Sequence, residues 1–227
     1  MGTFVKIKAS DGHEFEAYQA TPNCPPRGGI VVIQEVFGVN DHICNIADRF
    51  SEVGYLAIAP ALFDRFSPGF KTQYSPADIT QGRNLKDKAN NNFNNVILDV
   101  DAARKTIAQS VKRIGIVGFC WGGVVAWASA CRLNFCAASS YYGGGLLNFV
   151  DESPNCPVIF HFGDLDRSIP LDIDVVKIQE THPNCPVHIY AADHGFNCDM
   201  RSQYNSYAAH VSGMRTIILF EQNLAQG

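Results

Sequence analysis

Residues 115–123 read Gly-Ile-Val-Gly-Phe-Cys-Trp-Gly-Gly. The apolar run Ile114–Gly118 has the length of a buried strand, and the alanine-rich stretch 122–133 that follows has helical character. Strand, glycine-flanked turn and helix in that order form the repeating unit of an open parallel sheet. Five more short, nearly continuous apolar runs occur at Ile30–Ile33, Leu56–Ala59, Ala137–Tyr142, Val158–Phe162 and Val187–Tyr190. Strands buried on both faces have this pattern. Helical patterns at 42–53, about 84–109, 122–133, 172–181 and 202–223 separate them. The alternation predicts an α/β chain with a mostly parallel sheet and helices on both faces. Phe4–Lys8 and Glu14–Tyr18 alternate in polarity around Asp11-Gly12. That pattern predicts an antiparallel hairpin at one edge of the sheet. No composition shift marks a boundary, so residues 1–227 are expected to form a single domain.

Charge and cysteine usage narrow the function. Eighteen Lys and Arg against 22 Asp and Glu give a net charge of −4. That balance argues against nucleic acid or an anionic membrane as the main partner. The apolar runs are too short to span a bilayer. The first residues lack a basic-then-apolar leader pattern, which makes a cytoplasmic location the expectation. The eight cysteines contain no CxxC pair and no zinc-finger spacing, so they read as free thiols with no metal site and no cofactor. Pro-Asn-Cys-Pro recurs at 22–25, 154–157 and 183–186, where it reads as a turn leading into a strand. The polar stretch 64–95 begins as a loop and joins a surface helix. A monomer or a homodimer is expected.

In open parallel sheets, chemistry gathers beyond the carboxyl ends of the strands. Four strand ends here offer Glu35, Cys120, Asp166 and His194. Gly118-x-Cys120-x-Gly122 matches the nucleophile elbow G-x-S-x-G with cysteine in place of serine. The elbow needs glycines because larger side chains would strike the tight turn. The helix N-terminus after it favours negative charge, whether thiolate or oxyanion. Cys120, Asp166 and His194 follow the order nucleophile, acid, histidine of the α/β-hydrolases. In that arrangement His194 takes the thiol proton and later activates water, while Asp166 orients the imidazole. Asp164 and Asp193 are rival carboxylates. His161 and His188 fall inside strands and read as packed or surface residues. Glu35, directly after a buried strand, needs a partner. It would share a hydrogen bond with the thiol, or pair with an arginine.

These residues carry a family resemblance. Gln-Glu-Val-Phe-Gly-Val-Asn (34–40), Gly-Tyr-Leu-Ala-Ile-Ala-Pro (54–60), Gly-Phe-Cys-Trp-Gly-Gly (118–123), Tyr-Tyr-Gly-Gly-Gly (141–145), Gly-Asp-Leu-Asp-Arg-Ser-Ile-Pro (163–170) and Asp-His-Gly-Phe (193–196) resemble the dienelactone hydrolases. These are also called carboxymethylenebutenolidases, and they belong to the α/β-hydrolase superfamily. The resemblance implies a Cys120–His194–Asp166 triad and a Glu35 that holds the resting thiol. It also implies an oxyanion hole from the backbone N–H groups of Val36 and Trp121, in keeping with the elbow rule. The family holds a substrate carboxylate with two arginines. Arg83 stands near one of these places. The other falls four residues after the histidine, where this chain has Cys198, and Arg201 is the nearest arginine. Phe37, Tyr142 and Phe196 offer apolar pocket walls.

The reading is a hydrolase that opens a small lactone or ester through a cysteine acyl-enzyme. A carboxylesterase or thioesterase-like enzyme with a neutral substrate is the alternative within hydrolase chemistry. A non-catalytic thiol redox sensor on the same fold is the alternative outside it.

Overall fold

A computed structural model describes residues 1–224. Eight strands form one sheet in the order β1-β2-β4-β3-β5-β6-β7-β8. They are β1 (Thr3–Lys8), β2 (Glu14–Ala20), β3 (Gly29–Ile33), β4 (Leu56–Pro60), β5 (Ile114–Phe119), β6 (Ala137–Tyr141), β7 (Val158–Gly163) and β8 (Val187–Tyr190). Six helices accompany them: α1 (Asp41–Glu52), α2 (Pro76–Asn90), α3 (Phe93–Ile107), α4 (Trp121–Arg132), α5 (Leu171–Thr181) and α6 (Ser206–Leu224). The chain divides into two compact units, residues 1–115 with Leu224, and residues 116–223.

In the first unit β1 and β2 are antiparallel, with Lys8 opposite Glu14. Gly12 turns the hairpin at φ 92°, a conformation that costs glycine little. β2 continues antiparallel to β4, and β4 runs parallel to β3. Every residue of β3 and β4 is buried, so both faces of these strands are covered. Helices α1 and α3 both pack on them.

In the second unit β6, β7 and β8 are mutually parallel, and α4 packs on β6. β6 and β7 are buried along their whole length. β8, at the sheet's edge, is mostly half-exposed. The Pro-Asn-Cys-Pro segments all lie in bends or turns ahead of a strand, as their composition implies.

One expected helix is two. The pattern over 84–109 predicts a single element, but α2 starts at Pro76 and ends at Asn90, and α3 starts at Phe93. Ser75 and Asp78 form a capping box that starts α2 early. At the other end the asparagine run 90–92 interrupts the helix. Asn92 leaves helical geometry at φ −133°, ψ 45°. Asparagine side chains compete with the backbone for hydrogen bonds, which favours caps over helix interiors. Likewise α6 begins at Ser206 rather than 202, where the Asn205 side chain accepts the Ala208 N–H at 3.0 Å.

Candidate active site

Cys120 follows β5 directly and precedes α4. Its backbone sits at φ 55°, ψ −122°, a conformation that side-chain-bearing residues rarely adopt. The local sequence permits it. A side chain at Gly118 would overlap the backbone of Gly122, and one at Gly123 would lie 2.8 Å from the Tyr141 carbonyl oxygen. The Cys120 N–H donates to that carbonyl at 3.0 Å, and the Gly123 N–H donates to the Cys120 carbonyl at 2.9 Å. The thiol is thus presented, half-buried, at the first turn of α4. Trp121 opens that helix and is itself buried.

Asp166 and His194 come from the loops after β7 and β8. His194 Nδ1 lies 2.6 Å from Asp166 Oδ2. The carboxylate is 1 % exposed and the imidazole 21 %. Burial alone would lower the imidazole pKa. Cys120 and the Asp166 carboxylate outweigh burial and raise it to about 10. Burial likewise pushes the Asp166 carboxyl up, but His194 and Ser168 prevail and hold it below its ordinary value. His194 thus bonds Asp166 directly, and Cys120 is the other group that raises its pKa. Of the rival carboxylates, Asp164 is exposed, and Asp193 Oδ1 accepts the His194 backbone N–H at 2.6 Å.

Tyr142 and Phe196 are fully buried. The Tyr142 ring lies 5.1 Å from the His194 ring and 5.1 Å from the Phe196 ring. Tyr142 backs the imidazole, and Phe196 backs Tyr142. Arg201 packs its guanidinium against the backbone of Gly195, next in sequence to His194, and a side chain at Gly195 would collide with it. Cys198, at the place where the resemblance expects an arginine, is completely buried.

The other expected residues lie in the first unit. Glu35 and Val36 follow β3 and are buried, Glu35 to 1 % exposure. Gln34, which the sequence did not single out, fixes this loop. Its side chain accepts the Leu62 N–H at 3.1 Å and donates to the Glu35 carbonyl at 3.3 Å. The Phe37 ring meets Tyr74 edge-on at 4.8 Å. The Phe37 carbonyl accepts the Thr72 N–H at 3.0 Å. Asn40 caps α1 and also donates to Thr72 and Tyr74. The polar stretch after β4 is therefore tied to the loop that carries Glu35. Gly82 lets α2 press against the Val36 backbone. Arg83, one residue on, is exposed on α2.

Ser168 is a second residue that the sequence reading passed over. Its N–H and hydroxyl both bond Asp166 Oδ1, at 2.8 and 2.5 Å. The signal was present as Asp-x-Ser, because an aspartate commonly accepts the N–H two residues on.

The dienelactone hydrolase family profile matches residues 15–224. The chain belongs to the dienelactone hydrolase family. A carboxymethylenebutenolidase of Pseudomonas putida is 30 % identical over 94 % of this chain and 93 % of its own length. A Synechocystis protein named "Putative carboxymethylenebutenolidase" is 34 % identical over 86 % of each. A Klebsiella pneumoniae crystal structure, "Putative Dienelactone Hydrolase", superposes with a TM-score of 0.81 at 28 % identity, covering 97 % of this chain and 99 % of that one. The chain is thus a hydrolase of the dienelactone hydrolase family, with the α/β-hydrolase fold. None of its described helices is long and apolar enough to cross a membrane.

Proposed function

We propose that this chain is a cysteine hydrolase that cleaves a lactone or ester through a Cys120 thioester intermediate. The observation that carries this is the coupling of His194 to two partners at once: Asp166 Oδ2 at 2.6 Å and the Cys120 thiol on its elbow. An imidazole whose pKa is raised by a neighbouring thiol is the counter-ion a thiolate nucleophile needs. The thiolate attacks the carbonyl carbon, and the oxygen becomes an oxyanion. The Trp121 N–H, at the first turn of α4, is assigned to this charge together with the Val36 N–H. Collapse breaks the acyl C–O bond, and His194 gives its proton to the departing alkoxide. His194 then takes a proton from water, whose oxygen attacks the thioester. The second collapse releases the acid and regenerates the thiolate. Glu35 is assigned by family resemblance to holding the resting thiol. Its burial directly after β3 supports a role that needs a desolvated carboxylate.

The family profile runs through nearly the whole chain, which supports a single catalytic domain. Eight free cysteines support a reducing, cytoplasmic setting. Phe37 is assigned to the apolar side of the site, and the fully buried Tyr142 and Phe196 to supporting His194 from behind.

One observation favours a second reading of the substrate. Cys198 is buried where the resemblance places a carboxylate-binding arginine, and Arg83 is exposed. A neutral ester or lactone fits that pattern.

Turnover of p-nitrophenyl acetate by wild type, Cys120→Ala and His194→Ala tests the chemistry. Each variant is expected to lose at least about 10³-fold in kcat. Wild-type turnover by both would rule the mechanism out. Arg201→Ala and Arg83→Ala, assayed on paired acidic and neutral esters, separate the two substrate readings. A loss confined to the acidic ester supports the arginine clamp; equal loss on both, or none, supports the neutral substrate.

A further inference from the structure

Both oxygens of the Asp166 carboxylate are occupied, by different parts of the chain. Oδ2 faces His194 Nδ1 at 2.6 Å. Oδ1 accepts the Ser168 N–H at 2.8 Å and the Ser168 hydroxyl at 2.5 Å. The same hydroxyl oxygen lies 3.3 Å from His194 Nδ1. Ser168 therefore touches both members of the acid–histidine pair, yet no chemical step uses it.

The terminal torsion of an aspartate is broad and nearly two-fold. A carboxylate held through one oxygen alone can swing and weaken its bond to the imidazole. Two donors converging on Oδ1 remove that freedom and leave Oδ2 turned toward Nδ1. The backbone N–H of Ser168 supplies one donor whatever the residue, and the hydroxyl supplies the other.

We propose that Ser168 is a positioning residue for His194: its hydroxyl fixes the Asp166 carboxylate so that Oδ2 holds Nδ1–H, which leaves Nε2 as the atom that exchanges a proton with the Cys120 thiol. The inference rests on the hydrolytic reading above. It adds a residue that the triad order does not contain. The effect is on orientation, so it is carried by the hydroxyl, and threonine supplies it as well as serine.

The experiment compares wild type, Ser168→Ala and Ser168→Thr, with Cys120→Ala as the control for the hydrolytic reading. Two quantities are measured: kcat/KM for p-nitrophenyl acetate across pH, and the His194 titration by imidazole NMR, which needs no turnover. Ser168→Ala is expected to lose on the order of ten-fold in kcat/KM, the size of one lost charge-assisted hydrogen bond. The alkaline limb of its pH profile is expected to move down, together with the His194 titration, because a loosened carboxylate stabilises the imidazolium less. Ser168→Thr is expected to restore all three. A Ser168→Ala protein whose His194 titrates at or above the wild-type value overturns the proposal. A loss that threonine does not restore does the same. If Cys120→Ala keeps wild-type turnover, the hydrolytic reading fails, while the NMR titration still decides whether Ser168 positions His194.

Discussion

The Cys120 backbone is held in a left-handed conformation that costs a side-chain-bearing residue about 1–3 kcal/mol. The glycines around it and the Tyr141 carbonyl hold it there. That cost places the thiol on the turn between strand and helix, where the helix N-terminus favours its anionic form. His194 completes the arrangement electrostatically, and this has a consequence for stability. Its pKa is raised in the folded state to about 10 from an ordinary 6.5. Such a shift contributes stability that is fully present below pH 6.5 and is lost as pH rises through about 10. The stability difference between wild type and His194→Ala, measured by urea unfolding, is therefore expected to narrow steadily over that interval. A difference that grows with pH would contradict the assignment of cause.

At the scale of elements, a buried polar chain joins β6, β7, β8 and α6. Thr216 Oγ1 of α6 lies 2.9 Å from Ser139 Oγ, 2.8 Å from the Tyr141 hydroxyl and 3.3 Å from His161 Nε2. His161 Nδ1 continues to the Tyr190 hydroxyl at 2.8 Å, which accepts from Arg215 at 2.9 Å. If the Tyr190 hydroxyl donates to Nδ1, His161 carries its proton on Nε2 and donates to Thr216, so each group has a partner. Burial first, then His188 and Arg215, keep His161 neutral by lowering its pKa well below the ordinary value. The chain matters to the site because Tyr141 receives the Cys120 N–H, while the Tyr142 N–H donates to the His161 carbonyl at 2.7 Å. Thr216→Val keeps the shape and removes the hydroxyl. It is expected to cost about 1–3 kcal/mol in urea unfolding, since it strands buried polar partners. A neutral substitution would show that the chain is dispensable. His161 read from its strand position as a packed residue, and it is one. Its partners were invisible because they lie 29 and 55 residues away.

At the scale of the whole molecule, eight thiols share one chain and their surroundings separate them. Burial pushes Cys131 and Cys156 up to about 12, and burial with Asp41 and Asp48 pushes Cys44 to about 11. Cys185 is raised by burial too. These four are almost wholly protonated at neutral pH, and the thiol form does not attack. Limited iodoacetamide treatment at pH 7, followed by peptide mass spectrometry, is expected to label Cys120 before any of them. Labelling of Cys131 or Cys156 first would argue against an activated Cys120.

The sequence by itself determined the strand–helix alternation, the hairpin and the elbow, because these depend on local periodicity and on glycines at fixed spacing. It also placed Asp166 and His194 at strand ends, where parallel topology gathers chemistry. It named Asp166 as the acid by chain order and family resemblance, but local pattern could not exclude Asp164 and Asp193. That choice depends on which carboxylate is buried and turned toward the ring, and the turn at 164–166 can present either of its two aspartates. Nor could it place Ser168, Gln34 or Thr216 in their networks, join the 70–75 segment to the loop after β3, or show that Asn90–Asn92 would break a helix. Only the tertiary structure decided these, because hydrogen-bond partners distant in sequence are chosen by packing and leave no period in the chain.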